Sequence, residues 1–222
     1  MAQLLPFAPA SNYRTSPPFR PLLVLLTTIA LLGCGDSKQA SRDSSSSAAN
    51  NTPPQGETLL LEPPPGWLRG AERTTEKFRI VDFYPAGNDQ QNWYEKLTVE
   101  SNNIAPLPDP IEFLSSLGDA LKEQCKTSDH QPIATAEENG YQTSVRLLIC
   151  GEDKETGRVQ VSLVKAILGN DHFYTISHTK RSDPLANQQT PISKKEMASW
   201  SLYMRSVKLC DSANTKHPCP QT

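Results

Sequence analysis

The sequence predicts an α+β domain, an antiparallel sheet of about six strands packed with two principal helices. Three observations predict it. Runs rich in β-branched and aromatic residues are bounded by Pro, Gly and Asn turn signals. Two other stretches space their apolar residues three or four apart behind a capping residue. The strand-like runs are also grouped apart from the helical ones, the arrangement of sheets whose neighbours pair antiparallel.

Taken in order, TLLLE (58–62) is a short apolar run, and KFRIVDFY (77–84) is rich in strand formers and stops at Pro85. WYEKLTVES (93–101) alternates Trp93, Leu97 and Val99 with Tyr94, Lys96 and Thr98. Asp109-Pro110-Ile111-Glu112 then sets a capping aspartate, a proline suited to the first helical position and a glutamate three residues after the cap. Phe113, Leu114, Leu117 and Leu121 follow at helical spacing, so a helix to about Cys125 is expected. QPIATAEE and YQTSVRLLIC flank Asn139-Gly140, a strong hairpin signal. GEDKETGR leads into VQVSLVKAILG, where Val159, Val161, Leu163 and Ile167 alternate, and Gly169 to His172 turns into FYTISHTK. Ser193-Lys194-Lys195-Glu196 is a capping box, with Ile192 and Met197 placed as a hydrophobic staple. Met197, Trp200, Met204 and Val207 stripe a helix expected to end near Cys210, and core packing explains such a stripe better than a cofactor box.

The amino terminus carries a different signal. Leu22 to Leu32 is apolar but only about half the length that spans a bilayer. The only charges before it are Arg14 and Arg20, and small residues follow it, the layout of an export signal over residues 1–33. Leu31-Leu32-Gly33-Cys34 resembles the lipobox of bacterial lipoproteins. That resemblance implies cleavage before Cys34 and lipidation of its thiol, and more than one acyl chain there makes a stable membrane anchor. The residue after the cysteine is Gly35, not aspartate, which in the resembled proteins leans towards the outer membrane.

Residues 34–56 are serine-rich, and from Gly35 onward they hold no Val, Ile, Leu, Phe, Tyr or Trp. They read as a flexible tether with a root-mean-square reach of about 25 Å. Removing the leader takes away two positive charges and no negative ones, so the net charge of −2 becomes −4. With Lys and Arg scattered and the balance acidic, nucleic acid is not an expected partner. The globular domain spans residues 57–210, followed by a tail over 211–222.

In an exported chain the four remaining cysteines read as disulfides. Three pairings exist on paper; Cys125 with Cys150 and Cys210 with Cys219 is the favoured one. A zinc site would have to draw on His217, Cys219 and Cys210, a poor ligand spacing, so no metal is expected. His130, His172 and His178 read as surface imidazoles at turns or strands. Short catalytic and cofactor signatures are absent, so no cofactor and no catalytic residue is assigned. Asp82, Glu95 and Glu100 could converge only through the fold.

The most informative stretches are PPPGW (63–67) and NWYEKLTVES (92–101). The first is a rigid turn in which Trp67 reads as a structural anchor, with Pro65 and Trp67 also a candidate docking edge. The order Pro-x-Gly-Trp, FYP, NWYEKLTV, a helix ending in cysteine, a strand ending in Ile-Cys and KAILGNDHFY resembles a family of uncharacterised bacterial exported proteins over most of 57–209. The succession of elements is also similar to the PsbP-like α/β/α sandwich, whose members are commonly accessory or assembly proteins; fold alone does not fix function. Together these imply a non-catalytic envelope lipoprotein that docks on another envelope protein. A carrier using a pocket between Trp93, Phe113 and Trp200, or a hydrolase built from converging acids, are the alternatives.

Overall fold

The computed structural model describes residues 56–184 and 191–220. The expected signal segment, Cys34 and all of the tether but Gly56 lie outside the described residues.

Among the described residues nine strands and two helices follow one another as β1 (Glu57–Leu60), β2 (Trp67–Thr74), β3 (Phe78–Pro85), β4 (Glu95–Asn102), α1 (Pro110–Gln124), β5 (Ser128–Glu138), β6 (Tyr141–Cys150), β7 (Val159–Leu168), β8 (Phe173–Ser182), α2 (Lys194–Ser206) and β9 (Lys208–Asp211). Seven strands form one sheet in the order β2-β3-β4-β8-β7-β6-β5, every neighbouring pair antiparallel. Two meanders, β2 to β4 and β5 to β8, meet where β4 pairs β8. The connection from β4 to the far edge carries α1.

The main sheet thus has one strand more than the expected six, and a separate two-stranded ribbon joins β1 to β9. Two segments account for the difference. β2, WLRGAERT, is an outer strand whose residues are mostly exposed, so it carries no apolar alternation to read. The second is β9. Helix α2 stops at Ser206, because Val207 is extended (φ −73°, ψ 121°) and its N–H closes the last turn on Tyr203. Lys208–Asp211 then pairs β1, with Thr58 opposite Cys210, and that partner lies too far back in the chain for a local pattern to announce it.

The helices lie on opposite faces of the main sheet. On one, Leu114 of α1 packs with Leu148, Val164, Ala166 and Phe173, and the Phe113 and Phe173 rings meet edge-on at 4.9 Å. On the other, Trp200 and Met204 of α2 pack with Leu97, Leu163, Ile167, Tyr174 and Ile176. This antiparallel sheet with a helix on each face is the architecture expected above. α1 begins at Asp109, whose carboxylate accepts from the N–H groups of Ile111 and Glu112. It comes close to the sheet at Gly118, where a Cβ would stand 2.4 Å from the His130 ring. Arg146 Nη1 donates to His130 Nδ1 at 2.7 Å, so the imidazole proton sits on Nε2, 3.5 Å from Asp119 of α1.

The capping box of α2 is complete: Ser193 accepts from the Glu196 N–H, and the Glu196 carboxylate accepts from the Ser193 N–H. Glu196 also pairs with Lys180 of β8, and the Lys180 and Ser193 hydrogen bonds hold its carboxyl down at about 2 from 4.5. A depressed carboxyl contributes stability above its unfolded value that disappears as pH falls from about 4.5 towards 2. Glu196→Gln is therefore expected to lower stability at pH 7 slightly, the pair being largely solvated, and to flatten the acid limb of a stability-versus-pH curve below pH 4.5. Parallel urea titrations from pH 2 to 7 check this; an unchanged acid limb counts against it.

Two disulfides close the domain. Cys125 at the end of α1 is bonded to Cys150 at the end of β6, and Cys210 of β9 to Cys219. Their loops, 25 and 9 residues in sequence separation, correspond to about 3.5 and 2.7 kcal/mol in the chain-entropy account. The second bond holds the tail on the domain. There His217 stacks on Tyr141 at 4.2 Å and donates from Nδ1 to the Asn139 carbonyl at the Asn139-Gly140 turn, where both residues have the positive φ such a hairpin needs (51° and 79°). Both outer strands of the sheet are discontinuous: the register shifts between Arg69 and Glu72 in β2, and between Pro132 and Ala134 in β5.

Candidate functional site

Helix α1 packs on β5, β6 and β7 and meets β8 at Phe173, and among the described residues no helix covers the rest of this face over β2, β3, β4 and the far end of β8. Side chains on this part follow from register: Leu68 stands opposite Tyr84, Asp82 opposite Thr98, Thr98 opposite Ser177 and Lys96 opposite Thr179. Leu68 is 61% exposed here, and Tyr94, just before β4 and accepting at its carbonyl from the Arg181 N–H, is 52% exposed. Tyr84 is buried, and its hydroxyl donates to Asp82 Oδ2 at 3.3 Å, while Thr98 donates to Asp82 Oδ1 at 2.6 Å. Burial first, and then the Asp82 charge, push the Tyr84 phenol upward.

The cations gather at the end of β8. Trp93, just before β4, has the Lys96 ammonium 4.7 Å and the Arg181 guanidinium 3.9 Å from its ring centroid. Arg181 donates from Nε to the Trp93 carbonyl and from Nη2 to the Gln91 carbonyl. Burial holds Lys96 below its ordinary value; Asp82 opposes that, and Arg181 and Arg73 add to it. Arg181 is lowered by burial and by Arg158, and Glu100 is raised by burial against the pull of Arg73. These are charged groups kept from full hydration on an otherwise hydroxyl-rich sheet.

The opposite face holds a largely buried pair, His178 and Glu95. His178, 4% exposed, sits with its ring stacked on Trp200 at 4.0 Å, edge-on to Trp67 at 5.3 Å and near Tyr203 at 6.1 Å. Its Nε2 is 2.8 Å from Glu95 Oε1, which also accepts from the Trp200 indole at 3.2 Å. The buried Nδ1 has no hydrogen-bond partner. Nε2–H donates to the Glu95 carboxylate. His178 is thus not a surface imidazole. Its phase with Tyr174 and Ile176 on β8, and that of Glu95 with Leu97 and Val99 on β4, were the signals that placed both on the core face.

Lys165 is a second group the residue patterns carried unread. It takes the apolar phase of β7 between Leu163 and Ile167 and is fully buried. Its ammonium reaches Glu138 Oε2 at 2.7 Å and the carbonyls of Met204 and Val207 at 3.0 and 2.8 Å, so all its donors are used at the C-terminus of α2. Burial lowers its affinity for the proton, with Glu138 opposing.

The structure separates several residues that the sequence grouped. Phe113 and Trp200 stand on opposite faces of the sheet, and Trp93 lies with the cations at its end, so the three line no common pocket. Asp82 and Glu100 share one face, whereas Glu95 belongs to the other. Trp67 follows a turn in which its N–H reaches the Pro64 carbonyl at 3.0 Å; the indole is half-buried on the α2 core, while Pro65 is exposed. An apolar groove of about 280 Å³ beside the first turn of α2 is lined by Leu147, Ile149, Val161, Ile192 and Met197, among others. Among the described residues no three metal-ligating side chains come together, and no helix is long and apolar enough to cross a membrane.

No protein-family model matches this chain, and no curated protein matches it. Among solved structures, it is similar to cyanobacterial PsbP (CyanoP) from Synechocystis sp. PCC 6803, at 14% identity and a TM-score of 0.39, over 72% of this chain and 94% of that one. It is also similar to LpqN of Mycobacterium tuberculosis, described as involved in cell envelope biogenesis, at 12% identity and a TM-score of 0.33, over 72% of this chain and 86% of that one.

Proposed function

We propose that this chain is a non-catalytic lipoprotein of the bacterial cell envelope, anchored through Cys34 and presenting its folded domain as an accessory module that docks on another envelope protein. The observation that carries the docking role is the part of the sheet left without a helix by α1, where exposed Leu68 and Tyr94 adjoin Lys96 and Arg181. The anchored, oxidised setting is supported by the residues around Cys34 and by the two disulfides. An outer-membrane address follows from Gly35 in the same reading.

The dyad that most resembles catalytic machinery supports the same view. His178 is packed among Trp200, Trp67 and Tyr203, and Glu95 is already engaged by its imidazole and by the Trp200 indole. Photo-crosslinking in cells tests the docking role. A crosslinking residue at Tyr94 or Leu68 is expected to give a discrete protein adduct, and one at Leu202, 65% exposed on α2, is expected to give none. Adducts at Leu202 only, or at none of the three, would refute the assignment.

A further inference from the structure

We infer that the uncovered end of the sheet around Lys96, Arg181 and Trp93 receives an acidic linear segment of a partner protein, which deepens the docking role proposed above and rests on it. The first argument is charge. Among the described residues, Lys96, Arg181 and Arg73 have no carboxylate within ion-pairing distance, and Arg158 reaches Asp183 only at 3.9 Å. Asp82, the acid facing Lys96, is already held by the hydroxyls of Thr98 and Tyr84. Lys96, Arg158 and Arg181 therefore gather at one end of the sheet in a protein whose net charge is negative, while Arg73 lies further along the same face, in register with Ile80 and Glu100. They lie close enough to depress one another's affinity for protons, on top of the effect of burial. An incoming carboxylate relieves the mutual repulsion.

The second argument is preorganisation. Arg181 spends its Nε and one Nη2 donor on the Trp93 and Gln91 carbonyls, which fixes the guanidinium and leaves about three of its five N–H groups for a ligand. Trp93 is engaged by two cations, so its ring serves to position them instead of standing open for a sugar to stack on.

Shape and place favour a protein segment over a lipid. From Leu68 on β2 to Arg181 on β8 there are three inter-strand steps, about 14 Å, the length of roughly four extended residues. Exposed Leu68 and Tyr94 lie along that line and suit apolar side chains between acids, which a phosphate group cannot supply. Glu57, where the tether joins the domain, binds the β7–β8 turn at Asn170, beside Phe173 at the start of β8. Arg181 is at the other end of that strand, about 27 Å away. Lys96, Arg158 and Arg181 thus sit at the end of the domain remote from its attachment.

The test uses the full chain and a fluorescein-labelled peptide alternating Glu and Leu, with a Gln-for-Glu peptide, inorganic phosphate and phosphatidylglycerol vesicles as comparison arms. Fluorescence anisotropy is expected to show salt-sensitive binding of the acidic peptide, at least tenfold tighter than the amide peptide and not displaced by phosphate or vesicles. Lys96→Gln should weaken it about tenfold and exposed Arg73→Gln about threefold, while Lys122→Gln on α1 leaves it unchanged, all with wild-type thermal melts. Equal binding of the two peptides, unchanged affinity in both Lys96→Gln and Arg73→Gln, or displacement by phosphate or vesicles overturns the inference. If adducts at Tyr94 persist alongside that result, the docking role stands and only the acidic partner falls.

Discussion

Lys165→Ala is expected to lower the unfolding free energy by about 3–5 kcal/mol, a large part of what a domain of this size possesses. The loss has two sources. The stem of Lys165 fills a position in the centre of the sheet with no exposure, so truncation opens a cavity. Its ammonium also satisfies the Met204 and Val207 carbonyls, which stay covered when it is removed. Lys165→Met separates the two: it refills the volume but restores no donor, so about 2 kcal/mol of the loss should persist. Urea titration with a constant m-value measures both. Equal stability of Lys165→Met and wild type would show that the ammonium contributes nothing beyond its stem.

Trp200→Ala should cost a comparable amount, about 3–5 kcal/mol. Trp200 is buried, stacks on His178 and donates to Glu95, so its removal strips one wall from an imidazole and one donor from a carboxylate in a single step. Trp200→Phe keeps a ring against His178 and loses the N–H, and is expected to cost about 1–2 kcal/mol. Should Trp200→Ala melt within 1 kcal/mol of wild type, the stacked arrangement on the α2 face is not what secures that helix.

These two residues also mark how far the sequence could be read. Elements announced by local chemistry were legible: the Asp109 cap and Pro110 of α1, the Ser193 capping box of α2, the Asn139-Gly140 hairpin and the alternation of β6, β7 and β8 all stand where expected. What escaped depended on distant partners. β2 is too exposed to alternate, and β9 is defined by β1, which precedes it by most of the domain. Lys165, His178 and Glu95 each occupy an apolar phase, and only the fold shows that their polar atoms find partners there. The cationic end of the sheet was similarly dispersed: Lys96, Arg158 and Arg181 come from three different strands or their approaches, so no run of charge betrayed them. Trp93 was singled out as an aromatic and is found holding two of those cations.

The broken outer strands bear on how densely such a protein can be packed. β2 offers ladder segments of only three residues on either side of its irregularity, and β5 is interrupted at a proline that has no amide hydrogen to give. Neither border is a template on which another molecule could extend the ladder into a growing ribbon. Crowded side by side, copies of this domain should remain individually dispersed instead of stitching together into fibrils.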